Sequence, residues 1–174
     1  MIKFLSHAAL AAALLAASSG APAASTASAA TGSAATVNSA TVNYVNADRL
    51  TDVPRDRSER AFMESELLDH FNKLAARLPA GQALTIDIVD IDLAGEVFPR
   101  VPVRDVRVFK GMGDRPRIHL RYRIEEQGKV VRSGERALTD SAYLNGYNAY
   151  RSEIFAYEKQ LLDDWFRKDF APSP

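Results

Sequence analysis

From Arg117 to Ile124 the chain alternates without a break: Ile118, Leu120, Tyr122 and Ile124 are apolar, while Arg117, His119, Arg121 and Arg123 are basic. Successive side chains of a β-strand point to opposite faces, so this segment makes a strand with one dry face and one charged face. A face carrying three arginines and a histidine does not go under a layer of helices, because burying unpaired charge costs far more than apolar contact returns. The sheet that holds this strand is therefore covered on one side only.

The other periodicities fill in that plan. Thr41 to Asn46 is a β-branched and aromatic run that suits an opening strand. In Ser58 to Gln82, the residues Phe62, Leu67, Leu68, Phe71, Leu74, Ala75 and Leu78 recur at three- and four-residue steps, which predicts a helix with one buried stripe. Ser58 is its expected cap, and Pro79 with Gly81 its stop. His70 lies beside the stripe and reads as a partly buried edge residue, not a ligand. In Leu84 to Glu96, unbroken alternation would divide Leu84, Ile86 and Ile88 from Val89, Ile91 and Leu93. A bulge near Ile88 and Val89 turns all six inward and leaves Asp87, Asp90 and Asp92 outward.

A third strand is expected over Arg104 to Lys110 with Val106 and Val108 inward, followed by a loop holding Gly111, Gly113, Asp114 and Pro116. Glu126-Gln127-Gly128-Lys129 reads as a hairpin turn into a strand over Val130 to Ala137. Thr139 or Asp140 can cap a turn through Tyr143, with Gly146 as a kink. The last helix is expected to carry Tyr150, Ile154, Tyr157, Leu161 and Trp165 on its buried face, with Asp163–Arg167 and Asp164–Lys168 pairs outside. Tyr143 and Tyr147 fall off that stripe and are free to face a partner. The expected fold is α+β: a mostly antiparallel four- to five-stranded sheet packed on one face by two amphipathic helices.

Ahead of this domain, Lys3, an apolar run from Ala8 to Ala17 and the small-residue ending Ala21-Pro22-Ala23 read as a signal peptide, residues 1–23, cleaved after Ala23. The apolar run is too short to span a bilayer. Residues 24–40, rich in Ala, Ser and Thr, read as a flexible leader, 41–170 as a single domain and 171–174 as a disordered tail. The expected location is periplasmic or secreted. Of 22 Lys and Arg, cleavage removes Lys3 and leaves 21 against 22 Asp and Glu, a net charge of −1. That balance gives no electrostatic reason to expect nucleic acid as a partner. With no cysteine in the chain, a lipid-modified cysteine at the mature N-terminus, disulfides and thiol nucleophiles are all excluded.

Chemistry is sparse. Asp90 and Asp92 project to one side, and Glu96 beyond the Gly95 turn is a third carboxylate for a divalent cation, although the spacing departs from the EF-hand loop. The same aspartates fit a ladder of opposite charges against Arg107, Arg117, Arg121 or Arg123, and the arginines with His119 also fit a face that binds a partner or an anion. Two carboxylates at adjacent outward positions of one strand make no glycosidase cleft. No Gly-x-Ser-x-Gly, His-Glu-x-x-His, phosphate-loop or dinucleotide motif is present. Gly111-Met112-Gly113 reads as turn chemistry, and once His7 leaves with the signal, His70 and His119 alone make a poor zinc site.

The segments LPAGQALTIDIVDIDLAGE, RPRIHLRYRI and FAYEKQLLDDWFRKDF, in that order behind a signal peptide, resemble the exported bacterial family known as domain of unknown function 3016. The resemblance implies a single exported domain over about Thr41 to Phe170 and brings no catalytic residues with it. The expectation is an exported, non-enzymatic binding domain without cofactor, contacting an envelope protein or anionic ligand through Arg107, Arg117, His119, Arg121 and Arg123. The alternative is a metal-binding protein or metal-dependent hydrolase using Asp90, Asp92 and Glu96.

Overall fold

The computed structural model describes residues 38–98, 106–111 and 113–170. The expected signal peptide, most of the leader, the first two residues of the expected third strand and the tail lie outside the described residues. In chain order the elements are β1 (Ala40–Tyr44), a short 3₁₀ helix (Ala47–Arg49), α1 (Arg57–Ala75), β2 (Gln82–Asp92), β3 (Glu96–Phe98), β4 (Val106–Val108), β5 (Arg117–Glu126), β6 (Lys129–Thr139) and α2 (Ala156–Phe170).

The four long strands form one sheet in the order β1-β2-β5-β6, and β3 pairs with β4 in a separate ribbon. The α+β expectation holds, with one change of type: the sheet is mixed. β2, β5 and β6 are antiparallel neighbours, but β1 runs parallel to β2, with Ala40 opposite Leu84 and Tyr44 opposite Ile88. The reason is connectivity, since a helical crossover such as α1 returns the chain to the end from which it left. Met63, Leu67, Phe71 and Leu74 of α1, the inward residues of β2 and β5, and Leu162, Trp165 and Phe166 of α2 belong to one buried cluster, so both helices share one face of the sheet.

The bulge is present. Ile88 opposes Leu120 and Asp90 opposes His119, which leaves Val89 as the extra residue. Leu84, Ile86, Ile88, Ile91 and Leu93 are buried in consequence, whereas Val89 is only half-buried and not turned fully inward with the other five. The hairpin between β5 and β6 turns on Gln127 at φ 52° and Gly128 at φ 76°, the two left-handed residues of a type I′ turn.

Both helix starts differ from expectation. Asp56, not Ser58, caps α1, its carboxylate accepting the Ser58 and Glu59 N–H groups at 2.9 and 3.0 Å. Met63 takes the buried place expected for Phe62, which is 46% exposed. α2 begins at Ala156, so Tyr150 and Ile154 precede it. Phe155 at φ 56° breaks the helical run. Asn148 fixes the bend, its Nδ2 donating to the Ala156 carbonyl and its Oδ1 accepting from the Tyr150 N–H. Asp140 does cap a turn, through the Ala142 N–H, but Tyr143 is buried and Tyr147 alone of that pair faces solvent.

β6 forms an edge whose inner face is unusual. Tyr122 lies opposite Gly134, where a Cβ atom would come within 2.9 Å of its ring. Arg132 and Arg136 cover the Phe170 and Tyr122 rings at 4.6 and 5.8 Å. Inward-pointing charges of this kind also discourage pairing with another strand. Among the described residues no helix is long and apolar enough to cross a membrane.

Candidate functional site

With both helices on the other side, the outer face of the sheet stays open, and register decides what meets there. Asp87 opposes Arg121, Asp90 opposes His119 and Asp92 opposes Arg117 across β2 and β5, while Arg121 opposes Glu135 across β5 and β6. Arg117 pairs with Asp92 at 2.9 Å, and His119 Nε2 lies 2.7 Å from Glu135 Oε1. Arg123 turns along its own strand to Glu125 at 2.8 Å. Asp87 accepts from Asn43 Nδ2 at 2.8 Å. Among the described residues Arg121 makes no hydrogen bond or ion pair. It stands exposed between two carboxylate-bearing positions, the one basic group on the outer face of β5 without a partner among the described residues.

The acidic strand end does not converge. Asp90 accepts from the Thr51 N–H and hydroxyl, both at 2.8 Å, and so pins the segment after β1 to the sheet. Asp92 is engaged by Arg117, and partial burial pushes its carboxyl above the ordinary carboxylate range. Glu96 lies on β3 and pairs with Lys110. Among the described residues no group of three or more His, Asp or Glu side chains is placed to hold a metal ion.

Arg107 is misplaced by the sequence reading. Val106 and Val108 were expected inward, yet both are exposed and Arg107 is the half-buried residue of β4. Pairing of β3 with β4 places it opposite Val97, and its guanidinium reaches back to the end of β2. Nη1 lies 2.7 Å from Asp52 Oδ2 and donates to the Gly95 and Ala94 carbonyls at 3.0 and 3.2 Å. This is a clamp that ties the ribbon to the sheet, so Arg107 does not belong to the open arginine face.

The sequence reading also missed Glu158. It is 2% exposed, at the first turn of α2, and its Oε1 accepts the Ala94 N–H at 2.6 Å. Burial raises its carboxyl above the ordinary range. The signal was available: Glu158 stands three, four and seven residues before Leu161, Leu162 and Trp165, on the stripe that the helix buries. Its neighbour Lys159 is also buried, held by Glu66 at 2.8 Å and Glu153 at 2.9 Å.

A family model described as "Protein of unknown function (DUF3016)" matches residues 38–168. No curated protein and no solved structure matches the chain.

Proposed function

The chain belongs to the DUF3016 family, and from that premise we propose that it is an exported, non-enzymatic interaction domain whose open sheet face binds a partner presenting carboxylate or phosphate groups. One observation carries the reading. On the outer face of β5, Arg117, His119 and Arg123 are engaged within the molecule, and Arg121 is left as an exposed guanidinium with its five donors free among the described residues. A guanidinium suits planar, two-pronged recognition of carboxylate or phosphate. The metal reading of Asp90, Asp92 and Glu96 draws no support from their positions, because each is engaged by a different part of the fold.

The test uses Arg121→Gln, because Arg121→Glu would set a third carboxylate between Asp87 and Glu135 and cost stability by itself, roughly 0.2–1 kcal/mol per like-charged neighbour. Arg121→Gln is expected to leave stability within about 0.5 kcal/mol of wild type. Crosslinking in intact cells followed by purification should then recover a partner with the wild type and lose it with the variant. Equal recovery from both would remove the arginine face from consideration. Export has its own readout: the intact mass of protein from a cell-envelope or culture-fluid fraction should correspond to a chain starting at Ala24. A full-length chain confined to the cytoplasm would overturn the proposed location.

A further inference from the structure

Beneath the ribbon, between the end of β2 and the start of α2, lies a cavity of about 230 Å³. Leu93, Phe109, Ile154 and Tyr157 form much of its wall, Glu158 and Glu153 supply carboxylates, and Arg107 is the one cation among the described residues that line it. It is smaller than the usual pocket for a drug-sized ligand and suits a short chain or a single side chain. Its mouth is open and apolar: Ile154 is 54% and Phe109 44% exposed. It shares no residue with Arg117, His119, Arg121 or Arg123.

The charges around it do not balance. Asp52 is neutralised by Arg107, and Glu153 by Lys159. Glu158 accepts the Ala94 N–H through Oε1, and the Arg107 charge favours its ionised form from a distance while Asp52 opposes it, but among the described residues no cation forms an ion pair with it. A carboxylate in that position is costly when ionised unless a cation comes to it. The wall around it is aromatic, with Phe109 and Tyr157 edge to face at 5.1 Å, and aromatic rings favour a cation over an anion.

We infer that this cavity is a binding site for a primary alkylammonium group, its methylene chain lying against Leu93, Phe109 and Ile154 and its nitrogen meeting Glu158. The chemistry is common to a free alkylamine and to the lysine side chain of a protein. Burial raises the affinity of the Glu158 carboxyl for its proton, and an ammonium nitrogen beside it would act in the opposite direction.

The probes are pentylammonium, 1-pentanol and pentanoate, titrated calorimetrically into the purified protein. Pentylammonium is expected to bind saturably and about tenfold or more tightly than pentanol, with pentanoate weaker still. Glu158→Gln keeps an oxygen for the Ala94 N–H and should weaken pentylammonium by about tenfold or more while leaving pentanol unchanged. Because Glu158 is buried, a second variant guards against misfolding: Ile154→Trp, at an exposed rim position, should block the mouth and abolish binding in a protein of wild-type stability. Lysine capped at both its amino and carboxyl ends identifies the source. Binding tighter than pentylammonium supports a protein lysine, and binding of pentylammonium alone supports a small amine. No binding of pentylammonium, equal binding of pentanol, or wild-type binding by either variant would overturn the assignment.

Discussion

Replacing Gly95 by alanine is expected to lower the unfolding free energy by about 2–5 kcal/mol, a large part of what a domain of this size commands. Two costs combine. Gly95 has φ +83°, a left-handed conformation that costs a residue with a Cβ about 1–2 kcal/mol. The new Cβ would also stand 2.8 Å from the Val108 carbonyl oxygen, 2.9 Å from Phe109 Cδ1 and 3.1 Å from Arg107 Cγ, and overpacking of this kind costs about 1–3 kcal/mol. The nearest of these atoms is backbone and cannot rotate away. Nor can Gly95 itself shift freely, because its N–H donates to the Asp114 carbonyl at 2.8 Å and its own carbonyl accepts from Arg107.

Gly81 supplies the control. It has φ +86° with nothing within 4 Å of the site of a Cβ, so Gly81→Ala carries the conformational cost alone, about 1–2 kcal/mol. Urea unfolding of the two variants should show Gly95→Ala well below Gly81→Ala in midpoint at unchanged slope. Equal losses would mean that the ribbon does not press on Gly95, and the clamp through Arg107 would lose its geometric basis.

How far the sequence could be read follows from what each pattern depends on. The alternation in Arg117 to Ile124 and the bulge at Val89 were legible because period-two patterning on a half-buried strand is local. Moving the register by one residue would bury Asp90 and Asp92, so the apolar residues themselves demand the shift. Ile154 misled because its spacing continues the α2 stripe upstream, while Asn148 and the left-handed Phe155 end the helix short of it. Arg107 misled because a three-residue strand offers no period to test, and which side turned inward was decided by acceptors far off in sequence: Asp52 and the carbonyls that end β2. Glu158 sits on the part of the stripe that lies within α2, but charged residues on an apolar stripe are discounted unless a partner is in view, and its partner is the backbone N–H of Ala94, just beyond the end of β2. Long-range polar contacts were therefore the part that pattern could not reach.

His70 shows the same limit and yields the other large effect. Expected at the edge of α1, it is 1% exposed, with its ring edge-on to Tyr150 at 5.0 Å and neither ring nitrogen hydrogen-bonded among the described residues. Burial lowers its pKa from 6.5 to about 4. Asp163 opposes the fall, and Lys159, Lys73 and Arg77 deepen it. Between those values the unfolded chain binds a proton that the folded protein refuses, so the stability linked to His70 is present above about pH 6.5 and is lost as pH falls towards 4. The difference corresponds to about 3 kcal/mol. Glu158 and Asp92, whose carboxyls are raised by burial, act with the opposite sign over the acid range, so the total pH profile mixes the two. Comparison with His70→Leu isolates the histidine. Leucine fills the site without an unpartnered nitrogen, so at pH 7.5 the variant should be no less stable than wild type. By pH 4 it should have gained about 3 kcal/mol relative to wild type in urea unfolding. A stability difference that stays flat from pH 7.5 to 4 would mean that His70 finds a proton acceptor or solvent in the folded protein, and that the interface of α1 with the segment before α2 is not closed around it.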